Sequence, residues 1–259
     1  MVFIDQMGRE VILPNVPQRI ISLVPSQTEL LFDLGLESKV IGITKFCIHP
    51  KEKIKAISKI GGTKNFDFEA IEALKPDLII GNKEENYQEG ITHLANKYPV
   101  WMSDIYTLED SLNMIQELGK ILDVQRKADE ITGNIKISFQ DLPLVQNSPT
   151  VGYFIWRKPW MVATTNTFIE HILQRIGFQN VFRELERYPE ITLEQLQEKN
   201  PQYIFLSSEP YPFKDKHIAE LQSIVPDSRI LLVDGEMFSW YGSRLLKSVA
   251  YFKELVATL

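Results

Sequence analysis

Short apolar runs alternate along this chain with longer stretches whose apolar positions fall at helical spacing. Residues 11–13 and 19–24 read as short strands, divided by Pro14 and Pro17. Ser26 and Glu29 follow at capping-box spacing, and Leu30, Leu31 and Leu34 continue as a helix that Gly35 ends. Residues 40–44 form the next buried strand. This order predicts a parallel strand pair joined by a crossover helix. Beyond it the pattern predicts helices over 88–97 and 108–122, with a strand at 100–102 between them. Val124, Ala128, Ile131 and Ile135 share one helical face, so 124–140 reads as a helix. A loop with Pro143, Asn147 and Pro149 comes after it. The second half repeats the alternation: strand 150–155, helix 168–176 ending at Gly177, helix 215–224, strand 229–233 and a last helix over 243–256, which Ser243 is placed to cap.

One segment occurs twice. Residues 67–80 and 192–205 each set a capping residue (Asp67, Thr192) before an apolar residue and a glutamate (Glu69, Glu194). A proline follows each glutamate by seven positions (Pro76, Pro201), and an apolar strand-like run comes next. The repeat divides the chain into two lobes of similar construction. The expected architecture is α/β: two Rossmann-like lobes with mostly parallel sheets joined by one long helix. The expected boundaries are 1–122 for the first lobe, 123–145 for the connecting helix and 146–259 for the second.

Composition narrows the function. The chain has 259 residues, enough for two domains, and 28 basic against 34 acidic residues give a net charge of −6. No basic stretch could neutralise a nucleic-acid backbone, and the lysines of 51–55 read as a solvated face. A lone cysteine, Cys47, rules out an internal disulfide. No run of about 18 apolar residues suggests a membrane span. The first ten residues lack the basic and apolar regions of a signal peptide, which is consistent with a mature form or a cytoplasmic protein.

Candidate chemistry is sparse. The four histidines (His49, His93, His171, His217) share no metal-ligand spacing with one another or with Cys47, so no protein-held metal is expected. Gly61-Gly62-Thr63-Lys64 lacks the glycine spacing of a phosphate loop. Gly242-Ser243-Arg244 lacks the flanking glycine of a nucleophile elbow. Aromatic residues in predicted loops stand out instead: Phe46, Trp156, Trp160, Tyr188, Phe238, Trp240 and Tyr241. Phe46, Trp156 and the 238–241 group each follow a predicted strand, where open α/β sheets bind ligands. Flat rings there suit a large, partly apolar ligand.

Several of these segments carry a family likeness. Ser22-Leu23-Val24-Pro25-Ser26-Gln27-Thr28-Glu29-Leu30 resembles the start of the vitamin B12-binding proteins of bacterial ABC importers, a group that also binds ferric siderophores and haem. Gly61-Gly62-Thr63-Lys64-Asn65, the repeated glutamate segment, Trp156 with Pro159-Trp160, and Gly235–Gly242 fit the same group. The resemblance covers roughly 10–259 and implies the class III periplasmic-binding-protein fold, in which the connecting helix is rigid. It implies a non-catalytic monomer that takes a metal chelate into an interlobe cleft and delivers it to a permease dimer in the membrane. A corrinoid is the first choice, with a ferric siderophore or haem second. The location implied is the periplasm, or the cell surface by a tether. Ligand contacts carry over to Pro25, Ser26, Phe46, Trp156, Trp160, Tyr188, Glu236, Phe238 and Trp240. Glu69 and Glu194 carry over as the acids that meet arginines of the permease. Two departures stand out: Thr63 or Lys64 replaces a family tryptophan, and Glu236 and Trp240 replace an aspartate and an arginine. The rival readings are an enzyme on a two-lobed α/β scaffold, such as a nucleotide or sugar transferase, and a cytoplasmic corrinoid carrier or sensor.

Overall fold

A computed structural model describes residues 1–142 and 144–259; Pro143 of the expected loop lies outside the described residues. The chain forms two compact units. The first comprises 1–105, 109–136 and 241–244; the second comprises 106–108, 137–240 and 245–259. The boundary thus falls inside the helix Gln125–Gln140, between residues 136 and 137. Two short segments, 106–108 and 241–244, belong to the unit opposite the one the sequence-based boundaries give them.

The first unit is built on a five-stranded sheet. Its spatial order is Ser58–Lys59, Val40–Ile43, Ile20–Ser22, Leu78–Asn82, Val100–Ser103, and every pairing is parallel. Ile20, Ile21, Leu78, Ile79 and Ile80 are fully buried, as expected of central parallel strands covered on both faces. Strand order reverses between Ile20–Ser22 and Leu78–Asn82, which is where such a sheet opens a crevice at its carboxyl end. A separate hairpin pairs Val2–Ile4 with Glu10–Ile12.

The sheet of the second unit is mixed, unlike the first. Thr150–Trp156 pairs in parallel with Tyr203–Ser207, which pairs in parallel with Arg229–Val233. On its other edge Thr150–Trp156 pairs antiparallel with Trp160–Ala163, and that strand pairs antiparallel with Glu190–Ile191. The Trp156–Trp160 segment is therefore a hairpin turn.

The repeat keeps its register in three dimensions. Phe68–Leu74 and Leu193–Lys199 are both seven-residue helices. Asp67 accepts a hydrogen bond from the Ala70 amide, and Thr192 from that of Gln195, so each capping residue satisfies a first-turn N–H. Both helices close on a left-handed residue, Lys75 at φ 47° and Asn200 at φ 39°, next to the proline that stops the helix. The strands that follow, Leu78–Asn82 and Tyr203–Ser207, start at equivalent positions.

Two local expectations are corrected. The first long helix runs Pro25–Asp33, with Pro25 at its start and no side-chain cap. Proline needs no N–H partner there and has its φ already set. Ser26 therefore lies inside the first turn, and Glu29 is used elsewhere. The last helix runs Leu245–Ala257, so Ser243 stands before the capping position, with its hydroxyl buried and unpartnered.

Candidate functional site

In the first unit the carboxyl ends of the strands are tied by a buried polar network. Gln27 Nε2 donates to Ser103 Oγ at 2.6 Å, and Asn82 Nδ2 donates to the same oxygen at 2.9 Å. Asn82 Oδ1 accepts from the amides of Glu84 and Glu85, which fixes the turn after the strand. Asn86 Nδ2 reaches the carbonyls of Leu23 and Thr63. These bonds hold three loops together at the strand-order reversal. Pro25 and Ser26 are buried in this setting, whereas Phe46, beyond the strand Val40–Ile43, is 51% exposed.

The segment 241–244 is fastened into this unit by three side chains. Tyr241 is buried and its hydroxyl donates to Glu85 Oε1 at 3.1 Å; burial, then the nearby Glu85 carboxylate, pushes its phenol well above the usual range. The Gly242 amide donates to Ser111 Oγ at 3.1 Å. Arg244 forms a two-point ion pair with Glu29, at 2.7 and 2.9 Å. Both side chains of that pair are only 5% exposed.

A depression of about 420 Å³ also lies in this unit, lined by Arg9–Ile12 and Ala95–Val100. It sits at the amino end of the strand Val100–Ser103, the wrong end for a ligand site in such a sheet.

In the second unit Trp156 ends its strand and is 40% exposed. Its ring meets Tyr211 edge to face at 5.7 Å. Next to it Arg157 makes a two-point ion pair with Glu220, at 2.7 and 2.9 Å, and lies 5.5 Å from the Trp160 ring. Trp160 is half-buried and runs parallel to Phe213 at 6.0 Å. Tyr188 is half-buried, with the Arg187 guanidinium 6.0 Å from its ring. Glu236 lies in the first turn of the short helix Gly235–Ser239.

The remaining aromatic assignments change. Phe238 is fully buried, packed against Tyr153 at 5.1 Å, Phe252 at 4.9 Å and Phe205 at 6.0 Å. It closes the core of the second unit and has no free face for a ligand. Trp240 is 6% exposed, and its indole N–H donates to Glu209 Oε1 at 2.8 Å. Ser239 Oγ donates to the same oxygen at 2.7 Å.

Glu209 and Tyr211 were missed in the sequence. Both follow the strand Tyr203–Ser207, so the rule that selected Phe46 and Trp156 would have selected Tyr211, hidden between Pro210 and Pro212. Burial pushes the Glu209 carboxyl up, and Glu236 and Asp234 add to the shift. A carboxyl raised in the folded state holds its proton more tightly there than in the unfolded chain. It supports folding at acid pH and withdraws that support as pH rises through the folded value. Glu209→Gln keeps an acceptor for Ser239 and Trp240. It should be more stable than the parent at pH 7 in urea unfolding, and the gain should shrink toward pH of about 4.

Among the described residues no group of three or more His, Cys, Asp or Glu side chains is placed to hold a metal ion, and no helix is long and apolar enough to cross a membrane.

Known proteins share both the sequence and the fold. The chain is 28% identical over 244 residues to a vitamin B12-binding protein of Pectobacterium carotovorum, covering 89% of this chain and 85% of that protein. It is 26% identical over 274 residues to the uncharacterized ABC transporter substrate-binding lipoprotein YvrC of Bacillus subtilis, covering 97% and 84%. Its fold is similar to the crystal structure of the periplasmic haem-binding protein HutB of Vibrio cholerae, with a TM-score of 0.77, 18% identity, and coverage of 92% and 98%. Residues 20–223 match the family described as periplasmic binding protein, whose members bind solutes and catalyse no reaction on them. With most of its length inside that match, this chain belongs to the periplasmic binding proteins.

Proposed function

We propose that this protein captures a metal chelate outside the cytoplasmic membrane and delivers it to a membrane permease. A corrinoid is the first choice of ligand, and a ferric siderophore or haem is the alternative. The observation that carries the reading is the placement of Phe46 and Trp156. They are the two aromatic residues among the exposed large apolar side chains of the described residues; Trp156 ends its strand, and Phe46 lies just beyond the carboxyl end of its own. Exposing such rings forgoes burial of large apolar surface, which is sensible where a flat ligand covers them. Trp160, Tyr188 and Glu236 lie nearby in sequence or at strand ends and remain candidate contacts. Pro25 and Ser26 would act through the start of their helix. The metal is cargo inside its organic chelate, so the protein needs no ligands of its own for it.

Glu69 and Glu194 are the proposed docking acids. Both are exposed, in the first turn of equivalent helices. Hydrogen bonds from its own backbone N–H and from Thr192 hold the Glu194 carboxyl below the usual range, so it is anionic at neutral pH.

Titration with cyanocobalamin, haemin and a ferric siderophore, followed by tryptophan fluorescence and thermal unfolding, tests the ligand assignment. A true ligand at a hundred times its Kd should add about 2.7 kcal/mol of stability. If none of the three changes either signal, the chelate reading fails.

A further inference from the structure

The glycine pair Gly61-Gly62 was set aside above as a phosphate loop, and its two members have different reasons to be glycine. Gly61 has φ +92°, and a Cβ there would stand 2.4 Å from the Asn65 carbonyl oxygen. The tight hairpin that pairs Gly61 with Phe66 and Gly62 with Asn65 explains it. Gly62 has no left-handed backbone to explain it. A Cβ built on Gly62 would instead meet the Phe46 ring, 3.1 Å from Cε2, and the Lys45 side chain at 3.5 Å.

The hairpin is also fixed to the loop that carries Phe46. The Lys45 amide donates to the Gly61 carbonyl at 2.8 Å, so the backbone under the ring and the backbone bearing the ring cannot drift apart. The Cys47 amide closes a turn onto Thr44 at 3.1 Å, and the Cys47 side chain is buried between Thr28 and Thr44. The Lys45 ammonium lies 5.2 Å from the centre of the Phe46 ring. An exposed ring on a loop would ordinarily sample several rotamers and would lose that freedom on binding. Here one side of the ring already rests on bare backbone.

We infer that Gly62 is a positioning residue: its missing side chain seats the Phe46 ring at the angle in which it meets the chelate. This rests on the proposed role of Phe46 in ligand binding. The gain is preorganisation, because a ring held in its bound orientation loses less entropy when the ligand arrives.

The test is a double-mutant cycle with Gly62→Ala and Phe46→Ala, reading Kd for cyanocobalamin and for haemin together with the thermal midpoint. Phe46→Ala should weaken binding by roughly tenfold, the loss of one well-placed aromatic contact. Gly62→Ala alone should weaken it by about threefold to tenfold at an unchanged midpoint. In the Phe46→Ala background, Gly62→Ala should have no further effect, since there is no ring left to seat. Losses that add, or a Gly62→Ala variant that binds like the parent while Phe46→Ala is weakened, overturn the inference and leave the ligand site standing. A Phe46→Ala variant that binds both probes normally, or a parent that binds neither, overturns the site reading and the inference with it. Should Gly62→Ala fail to fold, adding Phe46→Leu, which removes the ring atoms that the new methyl meets, must restore folding; failure to do so also overturns it.

Discussion

Arg244→Met should lower the stability of the protein by about 3–5 kcal/mol in urea unfolding, the largest effect expected of any single substitution considered. Arg244 and Glu29 meet at 2.7 and 2.9 Å with both side chains almost wholly buried. Removing the guanidinium takes the two-point cationic partner from a carboxylate that is almost wholly buried, and the cost is that of a poorly compensated buried charge rather than of a lost packing contact. The paired replacement, Glu29→Leu with Arg244→Met, should recover most of the loss, because two apolar chains of similar size need no desolvation. If the double variant is as unstable as Arg244→Met alone, the charge argument is wrong and packing around the guanidinium stem is the cause. Glu29→Gln is the milder control and should lie between.

Transport should fall by something on the order of a hundredfold when Glu69→Arg and Glu194→Arg are combined, with chelate affinity unchanged. Charge pairs at an interface set both encounter and register, and reversal converts attraction into repulsion at each contact. Either single reversal should do less than the pair. The two glutamates occupy equivalent places in the repeat, one in each unit, so each variant also perturbs a helix N-terminus. Glu→Gln at both sites separates the two effects. It removes the charge while disturbing the helix start less, and it should already impair transport. Loss of chelate binding in either double variant would remove the docking role, since these side chains would then belong to the ligand site or to the fold. Uptake in a strain lacking the native gene, with affinity measured on the purified variants, supplies both readouts.

What was legible in the sequence was mostly local chemistry. The repeat could be read because each copy carries its own start and stop, a capping residue nine positions before a proline, and the structure reproduces both ends. The strand Arg229–Val233 was bounded correctly because an apolar run between a polar turn and Asp234-Gly235 leaves little choice. The errors came from partners far away in the chain. Ser26 and Glu29 have capping-box spacing, yet Glu29 is claimed by an arginine 215 residues later. No short-range rule can see that competition. Phe46, Phe238 and Trp240 give the same signal, an aromatic beyond a strand, but burial separates them: Phe238 is enclosed by four other rings, and Trp240 turns inward to bond Glu209. The antiparallel strand Trp160–Ala163 was missed because it is short, and the second of its two partners, Glu190–Ile191, lies beyond an intervening helix.

The return of residues 241–244 to the first unit has a consequence for the order of events in folding. On a growing chain, the helix bearing Glu29 is made long before its guanidinium partner, which emerges 215 residues later. Until then the first unit holds an acid that its finished core would bury, and closing that core early would be unfavourable. Its completion is therefore deferred until most of the second unit has been made, although most of its own residues come first. A fragment stopped near residue 136 would be expected to stay loose for the same reason, however well its sheet is formed.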